Sequence, residues 1–106
     1  MKWLQMKLFK IHTEENEKDV NFGIHGVYAD NEEDAIKYAE TKIVTDFLSI
    51  GYKVEVGRTS KRSIIYVWDN DEDTKYRKII IWASQLPWPI ANILEVGACK
   101  SSNWLA

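Results

Sequence analysis

Few side chains in the sequence can act as base or nucleophile near neutral pH: the histidines His12 and His25, and a single cysteine, Cys99. Nucleophilic catalysis needs a hydroxyl or thiol beside a positioned base, and a hairpin folded about Asn16 would hold the two histidines several residues apart. Cys99 lies in a weakly patterned segment. One cysteine also excludes a clustered zinc site and an internal disulfide, and it fits a reducing cytoplasm. Asp69, Asp71 and Asp73 repeat the alternate acids of a calcium loop. Thr74 stands where that loop needs glycine and Ile80 where it needs the bidentate glutamate, so the segment reads as a solvated turn. Gly23-Ile24-His25-Gly26 has the spelling of a phosphate-clamping loop, but it sits inside an alternating strand pattern. The sequence therefore predicts no catalytic residue, no metal and no cofactor, and its carboxylates offer no pair that spacing assigns as acid and base.

These groups must be positioned by one domain, because 106 residues supply one core and no second lobe. Hydrophobic residues at 45% and charged ones at 28% place the chain among ordinary globular proteins rather than disordered ones. The aliphatic stretch Ile79 to Ala83 is too short for a membrane span, which takes about 20 residues, and Lys2, Lys7 and Lys10 break any signal-peptide core. No repeat or Gly/Ser linker divides the chain.

The hydrophobic spacing predicts an α+β fold in two layers: a mostly antiparallel five-stranded sheet with one long helix on one face, in the order β-β-α-β-β-β. The first strand, Lys2 to His12, is apolar on both faces, as in a central or bulged strand. The second runs from Val20 to Tyr28, its apolar residues alternating with Asn21, Gly23 and His25. The helix spans about 31–50: Asp30 is placed to cap it with Glu33 reaching back, apolar residues recur at Ile36, Ala39, Ile43, Phe47 and Ile50, and Gly51 stops it. Tyr52 to Gly57, Ser63 to Trp68 and Lys75 to Ala83 are the remaining strands. Pro89 opens a short C-terminal helix carrying Ile90, Ile93 and Leu94, which Gly97 ends.

Alternation along the last two strands puts Ile65, Val67, Ile79 and Ile81 on one face and Ile64, Tyr66, Trp68, Tyr76, Ile80 and Trp82 on the other. One helix covers one face, and the aliphatic set, with Val54 and Val56, is its natural partner. The aromatic face then needs a second cover: the tail from Leu86 to Trp104, a second copy meeting it across a two-fold axis as a homodimer, or another macromolecule. Five tryptophans are more than a core this small readily encloses. Tyr66, Trp68, Tyr76, Trp82 and Trp88 are the expected partner-binding residues, Trp88 because Pro87 and Pro89 stiffen its presentation.

The formal charge is −2, and its distribution is uneven. Acids dominate from Thr13 to Glu40, where Glu14, Glu15, Glu17, Glu32, Glu33 and Glu40 form the expected acidic patch, and the rest of the chain is net basic. The aromatic face and the acidic patch together point to a small non-catalytic protein-binding module: a stoichiometric inhibitor or adaptor that occupies a protein partner, including a basic groove of a nucleic-acid-processing machine. In size and surface style the chain resembles the small accessory proteins that phages and mobile elements carry. The competing expectation is a single-stranded nucleic-acid module, with Tyr66, Trp68 and Tyr76 as a stacking platform flanked by Arg58, Lys61, Arg62, Lys75 and Lys78. The overall acidity weighs against that second expectation.

Overall fold

The structure, a computed structural model, describes residues 6–69, 76–87 and 96–98. Its elements are β1 (Lys7–Glu15), β2 (Lys18–Asp19), β3 (Gly26–Ala29), α1 (Glu32–Ser49), β4 (Lys53–Arg58), β5 (Ser63–Trp68), β6 (Tyr76–Gln85) and β7 (Val96–Ala98). They form one sheet in the order β4-β5-β6-β1-β3-β7, with β2 paired to β1, and α1 packs on one face. This is the expected two-layer α+β arrangement, antiparallel except where β7 lies parallel to β3. β1 is central, although its outer face carries Lys10, His12 and Glu14 beyond Leu8 and is not the apolar row expected: one edge bonds β6 along its length, the other bonds β2 and β3.

The expected second strand, Val20 to Tyr28, forms only at its end, in β3, and the hairpin partner of β1 next to the turn is β2, just before it. Asn16 and Glu17 have φ of 54° and 63°, and with Glu15 paired to Lys18 they make a two-residue turn of the mirror-image type whose twist suits a hairpin. The ladder then breaks. Val20 N–H donates to Thr13 O at 3.0 Å and Ile11 N–H to His25 O at 2.9 Å, so six residues face three. The excess loops out as a bulge in which Asn21 Oδ1 accepts the Gly23 N–H at 2.7 Å and Gly23 takes φ of +81°. Period-2 alternation of Phe22 and Ile24 imitates a strand, but the bulge carries both onto the core, Phe22 meeting Phe47 edge-on at 6.1 Å.

The helix starts one residue later than expected. Asn31, with extended backbone, accepts the Asp34 N–H on its Oδ1 at 2.8 Å, and Glu32, Glu33 and Asp34 occupy the first turn where the dipole favours anions. Asp30 is not the cap, because its side chain lies one residue short of those orphan N–H groups. At the other end Gly51 has φ of +93°, its N–H reaches Leu48 O at 3.1 Å, and the Tyr52 N–H reaches Phe47 O at 3.1 Å. These two bonds satisfy carbonyls that the last turn would otherwise leave bare.

Ile36, Ile43 and Phe47 of α1 press onto Phe9, Ile11, Val27, Ile65, Val67, Ile79 and Ile81. Three polar residues lie within this layer, each bonded: Thr13 Oγ1 donates to Val20 O, while Ser63 Oγ donates to Glu40 Oε1 at 2.6 Å. Among the described residues no buried side-chain polar atom lacks a partner. Gly97 lies in β7, not at a helix end; the expected helix over 89–95 lies outside the described residues. Among the described residues no helix is long and apolar enough to cross a membrane.

Candidate functional site

The face of the sheet away from α1 is built by the even-numbered positions of β5 and β6. Trp68 stands opposite Tyr76, Tyr66 opposite Lys78 and Ile64 opposite Ile80. Directly paired side chains share a face, so the register fixes this arrangement without help from any loop. The rings interlock: Tyr66 meets Tyr76 at 5.5 Å and 71°, Trp68 meets Tyr76 at 5.7 Å and 51°, and Tyr66 meets Trp68 at 6.2 Å and 32°. Edge-on geometry of this kind sets positive ring edges against negative ring faces and makes a continuous apolar carpet. Tyr76 is 55% exposed, and Tyr66 and Trp68 are half-buried.

Further along the same face Trp82 lies opposite His12 of β1. Their rings stack at 5.2 Å and 8°, and the Arg62 guanidinium covers the Trp82 ring at 5.9 Å. His12 Nε2 is 2.8 Å from Ser84 Oγ. Partial burial, reinforced by the nearby Lys10 charge, holds the His12 pKa below its ordinary 6.5 against an opposing pull from Asp19. A serine and a histidine within bonding reach are half of a nucleophile and base arrangement, but here the ring is oriented by its stack on tryptophan rather than by a carboxylate. The sequence carries no signal for this contact, since it depends on β1 meeting β6 across the sheet.

The histidines are closer than a plain hairpin about Asn16 allows. The bulge moves His25 beside Ile11, so His12 and His25 both line a cleft of about 260 Å³ with Lys10, Asp19 and Asn21. Among the described residues no three His, Cys, Asp or Glu side chains gather as metal ligands. Gly23, expected within a strand, is instead the left-handed residue of the bulge.

Of the expected partner-binding residues, Tyr66, Trp68, Tyr76 and Trp82 fall on one face, and Trp88 lies outside the described residues, as do Cys99, Asp71, Asp73 and Lys75. The six acids are not gathered on one surface. Glu14 is on the aromatic face, and Glu15 is on the helix side, where both its oxygens accept from Arg77 at 2.8 Å. That bidentate bond depresses the Glu15 pKa, and the same guanidinium lies 5.2 Å over the Phe47 ring. Glu17 is in the hairpin turn, and Glu32 and Glu33 open the helix. Glu40 is only 6% exposed, its carboxylate shared between Ser63 and a bidentate Arg58, whose pKa it raises further.

Arg58 is thereby removed from the aromatic face. What remains there is a small cationic excess, with Lys10, Lys53 and Lys78 on strand positions that share that face and Arg62 over Trp82, against Glu14, Asp19 and Glu55. Compared with protein-family models, curated proteins and solved structures, the chain matches none.

Proposed function

We propose that the chain is a small non-catalytic binding protein that docks on a protein partner through the outer sheet face, with Trp68 and Tyr76 at the centre and Tyr66 and Trp82 beside them. The observation that carries this reading is the interlocked aromatic cluster on the face that α1 leaves uncovered. Interface centres are enriched in tyrosine, tryptophan and arginine, and rings already locked by their neighbours lose little freedom on docking. The cations around the cluster suit an acidic partner surface and would steer its approach. Acting by occupancy, such a module serves as a stoichiometric inhibitor or adaptor of the phage or mobile-element type in a reducing cytoplasm.

The test is photocrosslinking from a benzoylphenylalanine placed at position 76 in the native host, followed by identification of the adduct. One protein adduct, lost when Trp68→Ala is added in a variant whose circular dichroism is unchanged, supports the reading. An adduct indifferent to Trp68→Ala overturns it.

A second reading is favoured by one observation, the excess of cations over acids on the aromatic face: a single-stranded nucleic-acid module. Its counter-argument is geometric. Bases need ring faces set apart to stack on, whereas here Tyr66, Trp68 and Tyr76 pack against one another with centroids 5.5, 5.7 and 6.2 Å apart. A labelled oligonucleotide at low salt separates the two readings: binding that falls steeply as salt rises supports the nucleic-acid module, and no binding ends it.

A further inference from the structure

We infer that β4 is a self-association edge, and that two copies of the chain join there into one continuous antiparallel sheet with both helices on the same side. β4 is the outermost strand on its side of the sheet among the described residues, bonded to β5 alone. Among the described residues, three of the four large hydrophobic side chains that stand well exposed lie at this edge: Val56 on the strand at 42%, and Leu48 and Ile50 at 55% and 69% where α1 leads into it. The helix flank over β4 is identified by Glu40, which reaches Arg58 and Ser63. Val44 and Leu48 follow Glu40 at steps of four and continue that flank. The result is an apolar ledge above an available strand edge, the kind of surface that monomeric proteins usually guard.

The occupant is specified by the strand's own sequence, Lys53-Val54-Glu55-Val56. For both helices to lie on one side, the two-fold axis must stand perpendicular to the sheet and pass through a residue paired with itself. With the axis at Val54, Lys53 stands opposite the partner's Glu55, Glu55 opposite the partner's Lys53, and Tyr52 opposite the partner's Val56. Moving the axis to Lys53 or Glu55 sets like charges against each other, and moving it to Val56 sets Val54 against the partner's Arg58. Charge and hydrophobic matching therefore select one register, and the charged residues that would protect this edge from a foreign strand are complementary to a second copy.

The association is independent of docking by the outer face, and light scattering coupled to gel filtration on the full chain reads it directly. The mass is expected to rise from 12.4 kDa towards twice that value with concentration. Glu55→Lys puts lysines opposite each other at two symmetric places and is expected to weaken the dimer by about tenfold or more, while the double swap Lys53→Glu with Glu55→Lys restores it. In a Cys99→Ser background, Val54→Cys is expected to give a disulfide-linked dimer on mild oxidation, because residues paired across an antiparallel ladder lie within disulfide reach. A monomer at every concentration overturns the proposal, as does a dimer that Glu55→Lys leaves intact or that the double swap fails to restore. A dimer abolished by Trp68→Ala with Tyr76→Ala would place the contact on the aromatic face, and would equally overturn it.

Discussion

On β5, Ser63, Ile65 and Val67 are buried while Ile64, Tyr66 and Trp68, each one residue away, are half-buried on the opposite side. The same alternation runs through β6, where Ile79, Ile81 and Ala83 meet the helix and Ile80 and Trp82 do not. The two faces differ in residue class as well as exposure. Branched aliphatics with few rotamers fill the space under α1, and flat rings with polar edges occupy the side that meets water or a partner. One backbone thus serves two purposes, because its period of two separates the side chains that specify the fold from those available for recognition.

If that division is real, substitutions on the two faces should have unequal effects. The largest is expected inside: Ile65→Ala, at a position with no exposed surface, should cost about 2–5 kcal/mol in chemical denaturation, and a loss below about 1 kcal/mol would mean that the layer repacks freely. Next is Glu40→Ala, which leaves the buried Ser63 hydroxyl without its acceptor and frees Arg58; about 1–3 kcal/mol is expected from the same measurement. Outside, Tyr76→Ser should change stability by no more than about 0.5 kcal/mol while abolishing partner crosslinking from a benzoylphenylalanine moved to position 78 on the same face, so a strongly destabilised variant would show that the aromatic cluster belongs to the core.

The smallest effect is that of pH. His12 should titrate below 6.5 in an NMR experiment, because burial and Lys10 favour its neutral ring. The unfolded chain therefore binds more protons than the native one as pH falls through 6.5, and stability should decline until the native ring is itself protonated. Glu15 gives the same sign at lower pH, since its depressed pKa supplies stability that is present above the unfolded value and lost as the carboxylate finally takes up a proton. A His12 midpoint at or above 6.5 would mean that the stack on Trp82 does not shield it.

Much of this was legible in the residues, for identifiable reasons. The steps of three and four from Ile36 to Phe47, ended by Gly51, are local and yield the helix to within a residue. The alternation of β5 and β6 is equally local, and it sorts Tyr66, Trp68, Tyr76 and Trp82 onto one face correctly. What could not be read is everything that depends on distant pairing. Phe22 and Ile24 alternate as a strand would, and only the three-residue mismatch against β1 shows that they belong to a bulge. Glu40 looks like a surface acid until Arg58 and Ser63 arrive from two different strands. The contact of His12 with Ser84 is likewise a product of β1 meeting β6.

That central pairing has a consequence for how the molecule comes into being. β1 leaves the ribosome before β6 but needs β6 to pair one of its two edges, so that edge stays open until Gln85 has emerged. At synthesis rates of about 5–20 residues per second that is a wait of several seconds, during which an exposed apolar strand can pair wrongly. A stall or a cut anywhere between the two leaves β1 without its longest pairing and divides the sheet between fragments.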